Sequence, residues 1–156
     1  YEIRPRDWSS DVCSSDLADI GQFCPRYAGL SDTDKKNFWV YLLSAIAELE
    51  SDFDPNASYT ESFNDSQGKP VVSLGLLQLS IGDGPIYGCS FQERADVVDP
   101  IKNLDCGLKI LSKWLSKDRV LSGKNGSTWV GGARYWSTLR NQKLSIIQGW
   151  TRTLPL

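Results

Sequence analysis

Carboxylates must carry any acid–base chemistry that would usually fall to an imidazole, because the 156 residues include no histidine. A Ser-His-Asp triad, a Cys-His dyad, an HExxH zinc site and a histidine-based ribonuclease all lose their central residue. What remains is carboxylate, tyrosine or lysine chemistry, or a metal site built wholly from cysteines or carboxylates. One glutamate is singled out by pattern. With each helical residue rotating roughly 100°, Phe38, Trp39, Leu42, Leu43, Ile46 and Leu49 share one arc. Glu50 falls roughly 50° from the centre of that arc, whereas Glu48 points to the opposite side. Glu50 is therefore aimed inward in a last turn, where desolvation and the negative end of the helix dipole both oppose ionisation. A raised pKa is expected there, which is what a general acid acting near neutral pH requires. The competing reading is an ordinary helix-end residue that caps the helix or pairs with a nearby lysine or arginine.

The elements that must position Glu50 can be read around it. Ser31 followed by Asp34 is an N-cap signature, and the stretch SDTDKKNFWVYLLSAIAELE then keeps helical spacing. Asp54-Pro55-Asn56 forces the chain out of helix soon afterwards. Residues 56 to 73 are polar and irregular, with a turn at Gln67-Gly68 that suits a short hairpin. LGLLQLS, 74 to 80, is a short apolar element for which helix is slightly preferred. Gly82, Gly84, Pro85 and Gly88 form a loop leading to Cys89. Asp99-Pro100 opens a second long helix, with Ile101, Leu104, Leu108, Leu111 and Leu115 as its core stripe. Beyond a turn at residues 123 to 126, two weaker helices are expected near 129 to 139 and 142 to 151.

The totals suit one globular domain. A formal charge of −2 gives no global basic field to steer the chain onto nucleic acid or an anionic membrane, and leaves a local basic patch open. No stretch approaches the roughly 18 apolar residues of a membrane span. The absence of methionine points to a processed chain or a fragment, with any signal peptide already removed. Residues 1 to 17 differ from the rest, and RDWSSDVCSSDL resembles a translated sequencing-adapter read. They are expected to lie outside the evolved domain, which would then run from 18 to 156. Of the cysteines at 13, 24, 89 and 106, Cys89 and Cys106 would close a loop of about 17 residues, a disulfide worth roughly 3 kcal/mol. That bridge implies an oxidising compartment, and two buried thiols are its alternative.

AIAELESDFDPNAS resembles the first motif of the soluble lytic transglycosylase and goose-type lysozyme group, in which a helix ends in Glu-Ser. SLGLLQLS, 73 to 80, resembles the second motif, Ser-x-Gly-Leu-x-Gln-Ile/Leu; NLDCG, 103 to 107, resembles the stretch that follows. GGARYW, 131 to 136, resembles the last motif, Ala-Tyr-Asn, with an arginine before the tyrosine and Trp136 in place of the asparagine. The order is right, and the resemblance covers about residues 31 to 140. It implies a mainly α, lysozyme-like α+β fold of two lobes, with Glu50 at the floor of a groove flanked by the irregular or hairpin segment. It makes Glu50 the acid, with Ser51 beside it. Ser73 and Gln78 would hydrogen-bond the sugar, Tyr135 would touch it near the reacting bond, and Tyr59 and Trp136 join the substrate-binding set. Core packing is the alternative for Trp136.

A second carboxylate separates hydrolysis from transglycosylation, and Glu61 is the first choice over Asp65 and Asp83, since an irregular segment can return it across from Glu50. The expected activity is cleavage of the β-1,4 bond between N-acetylmuramic acid and N-acetylglucosamine, by hydrolysis or lytic transglycosylation. The expected partner is the glycan strand of peptidoglycan, met by a periplasmic or extracellular monomer with no cofactor, no metal, no nucleic acid and no membrane insertion. Two competing readings are a non-catalytic glycan-binding wall module and a chitinase or chitosanase on the same scaffold.

Overall fold

A computed structural model describes residues 16–156. Cys13 and most of the expected leader lie outside the described residues. In chain order the elements are α1 (Ile20–Phe23), α2 (Asp32–Ser51), β1 (Ser58–Asn64), β2 (Pro70–Leu74), α3 (Asp83–Tyr87) and α4 (Arg94–Val98). They continue with α5 (Pro100–Asp118), β3 (Ser122–Asn125), β4 (Thr128–Gly131) and α6 (Asn141–Arg152). The architecture is lysozyme-like α+β: long helices with two small antiparallel hairpins, β1–β2 and β3–β4. The described residues divide into two compact units, one of residues 16–45 and 112–156 and the other of residues 46–111.

The first unit is built on aromatic packing. Phe23, Tyr27, Phe38, Trp39 and Leu42 are buried. The rings of Tyr27, Phe38 and Trp39 meet edge to face with centroids 5.1 to 6.1 Å apart, and the Trp39 indole donates to the Tyr27 hydroxyl at 2.8 Å. That bond removes the cost of burying two polar tips. Helix α2 starts as its sequence indicates: Asp34 N–H donates to Ser31 Oγ at 3.1 Å, and Ser31 Oγ donates to the Asp34 carboxylate. Near the chain start, Asp19 accepts from the Leu121 and Ser122 amides at 2.7 and 2.9 Å. Leu17, placed in the leader by composition, is buried. Instead of a helix over 129 to 139 there are strand β4 and two 3-10 turns, Gly132–Arg134 and Ser137–Leu139. Gly131 at φ +67° turns the chain out of the strand at a point where a β-carbon would strike Val120 O, a course only glycine allows. Helix α6 matches the last expected helix, and Arg152 Nε ties it to Gln22 O at 2.6 Å.

The second unit holds the end of α2, the β1–β2 hairpin and Pro100–Leu111 of α5. Residues 74 to 80 are not helical. Leu74 and Leu79 exchange backbone bonds of 2.7 and 3.0 Å, and Gly75 and Gln78 both sit in the left-handed region, so the segment folds back as a tight turn. The glycine loop before Cys89 contains a short helix, α3, whose first-turn Asp83 accepts from Ser80 N at 2.7 Å. The core face of α5 also differs from the expected stripe. Ile101 is exposed and Leu104 and Leu108 are half-buried, while Asn103, Cys106 and Ile110 are fully buried beside Leu111. The stripe was drawn through Ile101 and four leucines, of which Leu111 and Leu115 are buried, and the helix instead turns a buried asparagine toward the 74–79 turn. Cys89 and Cys106 form the expected disulfide, with Cα atoms 5.3 Å apart.

Candidate active site

Five of the seven residues proposed to bind or cut substrate lie in the 46–111 unit. Glu50 is the penultimate residue of α2 and half-buried, and Glu48 is exposed, so the helical wheel assigned their faces correctly. The helix stops one residue later because Asp52 and Phe53 take φ of +53° and +60°, before the proline acts. Left-handed backbone at non-glycine residues is uncommon and tends to be kept at functional sites. Ser51 locks that end: its hydroxyl lies 2.9 Å from Ala47 O and 2.8 Å from Leu76 O, sharing one proton between its own helix and the 74–79 turn.

The turn is held from two further sides. Asn103 Nδ2 donates to Leu74 O and Val97 O at 3.1 and 2.8 Å, and its Oδ1 accepts from Leu77 N at 2.9 Å. Gly75 is required at the centre: a β-carbon there would sit 2.6 Å from Asn103 Nδ2 and 3.0 Å from Val97 O. Gln78, at φ +53°, donates its side-chain amide to Gly75 O at 2.9 Å and Ala57 O at 3.2 Å. Its nitrogen thus braces the turn against the start of the hairpin, a role that the motif alone did not indicate.

The hairpin carries the second carboxylate. Register runs Ser58↔Leu74, Tyr59↔Ser73 and Thr60↔Val72, then slips before Asn64↔Pro70. Glu61 lies inside that bulge, a device that re-aims a side chain out of the regular ladder. Ser73, only 8% exposed, donates its hydroxyl to Glu61 Oε1 at 2.6 Å, a short bond that fixes the direction of the carboxylate. Tyr59, across from Ser73, is 62% exposed.

Tyr135 and Trp136 belong to the other unit. Tyr135 is half-buried and packs edge-on against Trp136 with ring centroids 4.9 Å apart. Trp136 is 2% exposed, so its indole has no open face on which a pyranose could stack; burial gives it the core role weighed against sugar contact. Arg134, the insertion before the tyrosine, has a structural reason. Its guanidinium grips the Asp118 carboxylate, with Nη2 to Oδ1 at 2.8 Å, and Gly131 N–H donates to the same carboxylate at 2.7 Å. The Arg134 hydrogen bonds hold the Asp118 carboxyl below its usual range. Among the described residues no group of histidine, cysteine and acidic side chains could hold a metal ion.

The transglycosylase SLT domain family matches residues 30–122, and the chain belongs to it. Members are lytic transglycosylases that cleave glycosidic bonds, and peptidoglycan is the substrate class that membership implies. The chain is also similar to the solved structure of wild-type DslA, form 2, at 42% identity and a TM-score of 0.90, covering 96% of this chain and 84% of that one. Two DslA variants, each with one glutamate replaced by glutamine, match at 41% identity with the same coverage and a TM-score of 0.90. No curated protein sequence matched.

Proposed function

We propose that this protein cleaves the β-1,4 bond between N-acetylmuramic acid and N-acetylglucosamine, with Glu50 as general acid and Glu61 as the second carboxylate. The observation that carries the pairing is the Ser73–Glu61 hydrogen bond of 2.6 Å, which orients a carboxylate in the unit that also presents Glu50. The two glutamates replaced in the DslA variants are eleven residues apart in that chain, the same interval as Glu50 and Glu61 here. Glu50 gives its proton to the glycosidic oxygen as the bond to the anomeric carbon breaks, leaving an oxocarbenium-like centre. Glu61 then takes a proton from a water whose oxygen bonds to that carbon, and the product end is reducing. In the second reading, favoured by the family, the sugar's own 6-hydroxyl attacks, its proton returns to Glu50 and a 1,6-anhydro end forms. Tyr59 and Tyr135 serve as sugar contacts in either course.

The site of action is outside the cytoplasm, where peptidoglycan lies and where a Cys89–Cys106 disulfide persists. Among the described residues no helix is long and apolar enough to cross a membrane. Glu50→Gln should abolish clearing of a cell-wall suspension while the protein stays folded; clearance at the wild-type rate would remove Glu50 from the mechanism. Mass spectrometry of the products separates the two courses, since reducing and anhydro ends differ by one water. No release from purified sacculi at any pH would leave a glycan-binding module, and turnover of chitooligosaccharides alone would leave a chitinase or chitosanase.

A further inference from the structure

The near-neutral total hides a strong separation of charge along the chain. Residues 46–111 contain eleven acidic and four basic side chains, whereas residues 112–156 contain eight basic side chains and a single acidic one, Asp118. Asp118 is already engaged by Arg134 and the Gly131 amide. The basic groups are not scattered. Lys117 Nζ lies 5.5 Å from the centroid of the Trp114 ring, and the Arg134 guanidinium lies 4.8 Å from the same centroid. Arg134 O accepts from Arg140 Nη2 at 3.1 Å; the Arg140 guanidinium lies 5.3 Å from the Trp129 centroid and Lys124 Nζ 4.8 Å from it. The result is one continuous ladder of four cations on two half-buried indoles, with Arg134 and Arg140 adjacent at its centre.

Indole faces hold Lys117 and Lys124 in place without neutralising them, whereas Arg134 is also paired with the Asp118 carboxylate. Lys117 and Lys124 are exposed and make no ion pair among the described residues, so both ends of the ladder keep their charge available to a partner. The excess of positive charge on this stretch is therefore an electrostatic footprint for an extended polyanion. A scatter of solubilising lysines would instead be interspersed with acids.

We infer that the Lys117–Trp114–Arg134–Arg140–Trp129–Lys124 ladder is a docking surface for the carboxylate groups of peptidoglycan stem peptides. The inference rests on peptidoglycan being the polymer cut. Its glycan strand bears a peptide on alternate sugars, each with free carboxylates, so a row of cations meets a row of anions while the neutral sugar backbone is left for the cleavage site. The surface would hold the enzyme on insoluble wall between cleavage events.

The test is sedimentation of the full chain with insoluble sacculi, read on ice in the Glu50→Gln background. Retention should be strong at ~0.05 M salt and largely lost near ~1 M, where screening acts within a few ångströms. Lys117→Glu with Lys124→Glu should weaken retention on the order of tenfold, and Lys117→Gln with Lys124→Gln by less, with thermal midpoints reporting that each variant is folded. Amidation of the sacculus carboxyls should lower wild-type retention to the level of the charge-reversed variant. Retention indifferent to amidation, or to the double reversal, would overturn the inference. So would partition onto a polynucleotide by a chain that leaves untreated sacculi in the pellet unbound. Dissolution of the wall in the Glu50→Gln background would instead count against the assignment of Glu50, and retention on the remaining wall would still decide the ladder.

Discussion

Replacing Asn103 with alanine should damage both stability and activity, although Asn103 is fully buried and touches no proposed substrate contact. Its side chain makes three hydrogen bonds: to Leu74 O, to Val97 O and from Leu77 N. Leu74 O keeps its bond from Leu79 N at 3.0 Å after truncation, so the loss falls mainly on Val97 O and the Leu77 amide. A buried polar group deprived of its partner costs about 1–3 kcal/mol, and the vacated volume adds to that. The expected loss is about 3–5 kcal/mol, a large share of the roughly 5–15 kcal/mol that holds a domain together. The thermal midpoint should fall by about 10–15 °C. Urea denaturation gives the free energy, and hydrogen exchange at the Leu77 and Leu79 amides reports whether the 74–79 turn is what loosens. Asn103→Leu fills the space but offers no polar atoms, so it should be nearly as harmful. A leucine variant as stable as wild type, or an alanine variant within about 3 °C of it, would refute the idea that this asparagine pins the turn.

The other predictions concern separate parts of the molecule. Ser73→Ala should lower kcat by roughly tenfold with little change in KM, because Glu61 loses its orienting bond; a change in KM alone would make Ser73 a sugar contact instead. Alanine at both Cys89 and Cys106 should cost about 3 kcal/mol in chemical denaturation, from the freed 17-residue loop, and equal stability of reduced and oxidised protein would contradict this. Gly131→Ala should prevent accumulation of folded protein, since its β-carbon would fall 2.2 Å from Val120 O and 2.8 Å from Leu121 O; a soluble variant with a wild-type melting curve would show that the backbone yields there. Asp118 has a lowered pKa in the folded state, so its contribution to stability is present above its unfolded value of about 3.9 and is lost as pH falls through the folded value. The acid limb of stability against pH should therefore be shallower in Asp118→Asn, as measured by urea midpoints between about pH 5 and pH 2.

Periodicity was enough to place α2 and to separate half-buried Glu50 from exposed Glu48, because every third or fourth residue there is apolar and the rotation per residue is constant. Capping chemistry was enough to start α2 at Ser31 and α5 at Pro100. The same reasoning failed for residues 74 to 80, where four leucines in seven positions suit a helix, a strand or a turn equally. Their shape was decided by Asn103, twenty-four residues beyond Leu79, whose three hydrogen bonds favour a left-handed turn at Gly75 and Gln78 that no local propensity would choose. It failed again at residues 129 to 139, where the Gly131 backbone and the Asp118–Arg134 pair set the course of the chain.

By itself, the order of residues determined the absence of imidazole chemistry, the helix that ends in Glu50, the cysteine pairing and the motifs of the family. Only the tertiary structure decided that Ser73 orients Glu61, that Gln78 braces a turn, that Trp136 is interior, and that lysines and arginines far apart in sequence line up around two indoles. The reason is physical: a helix face follows from spacing along one segment, but a hydrogen bond or a ring contact between distant segments exists only once burial has brought them together.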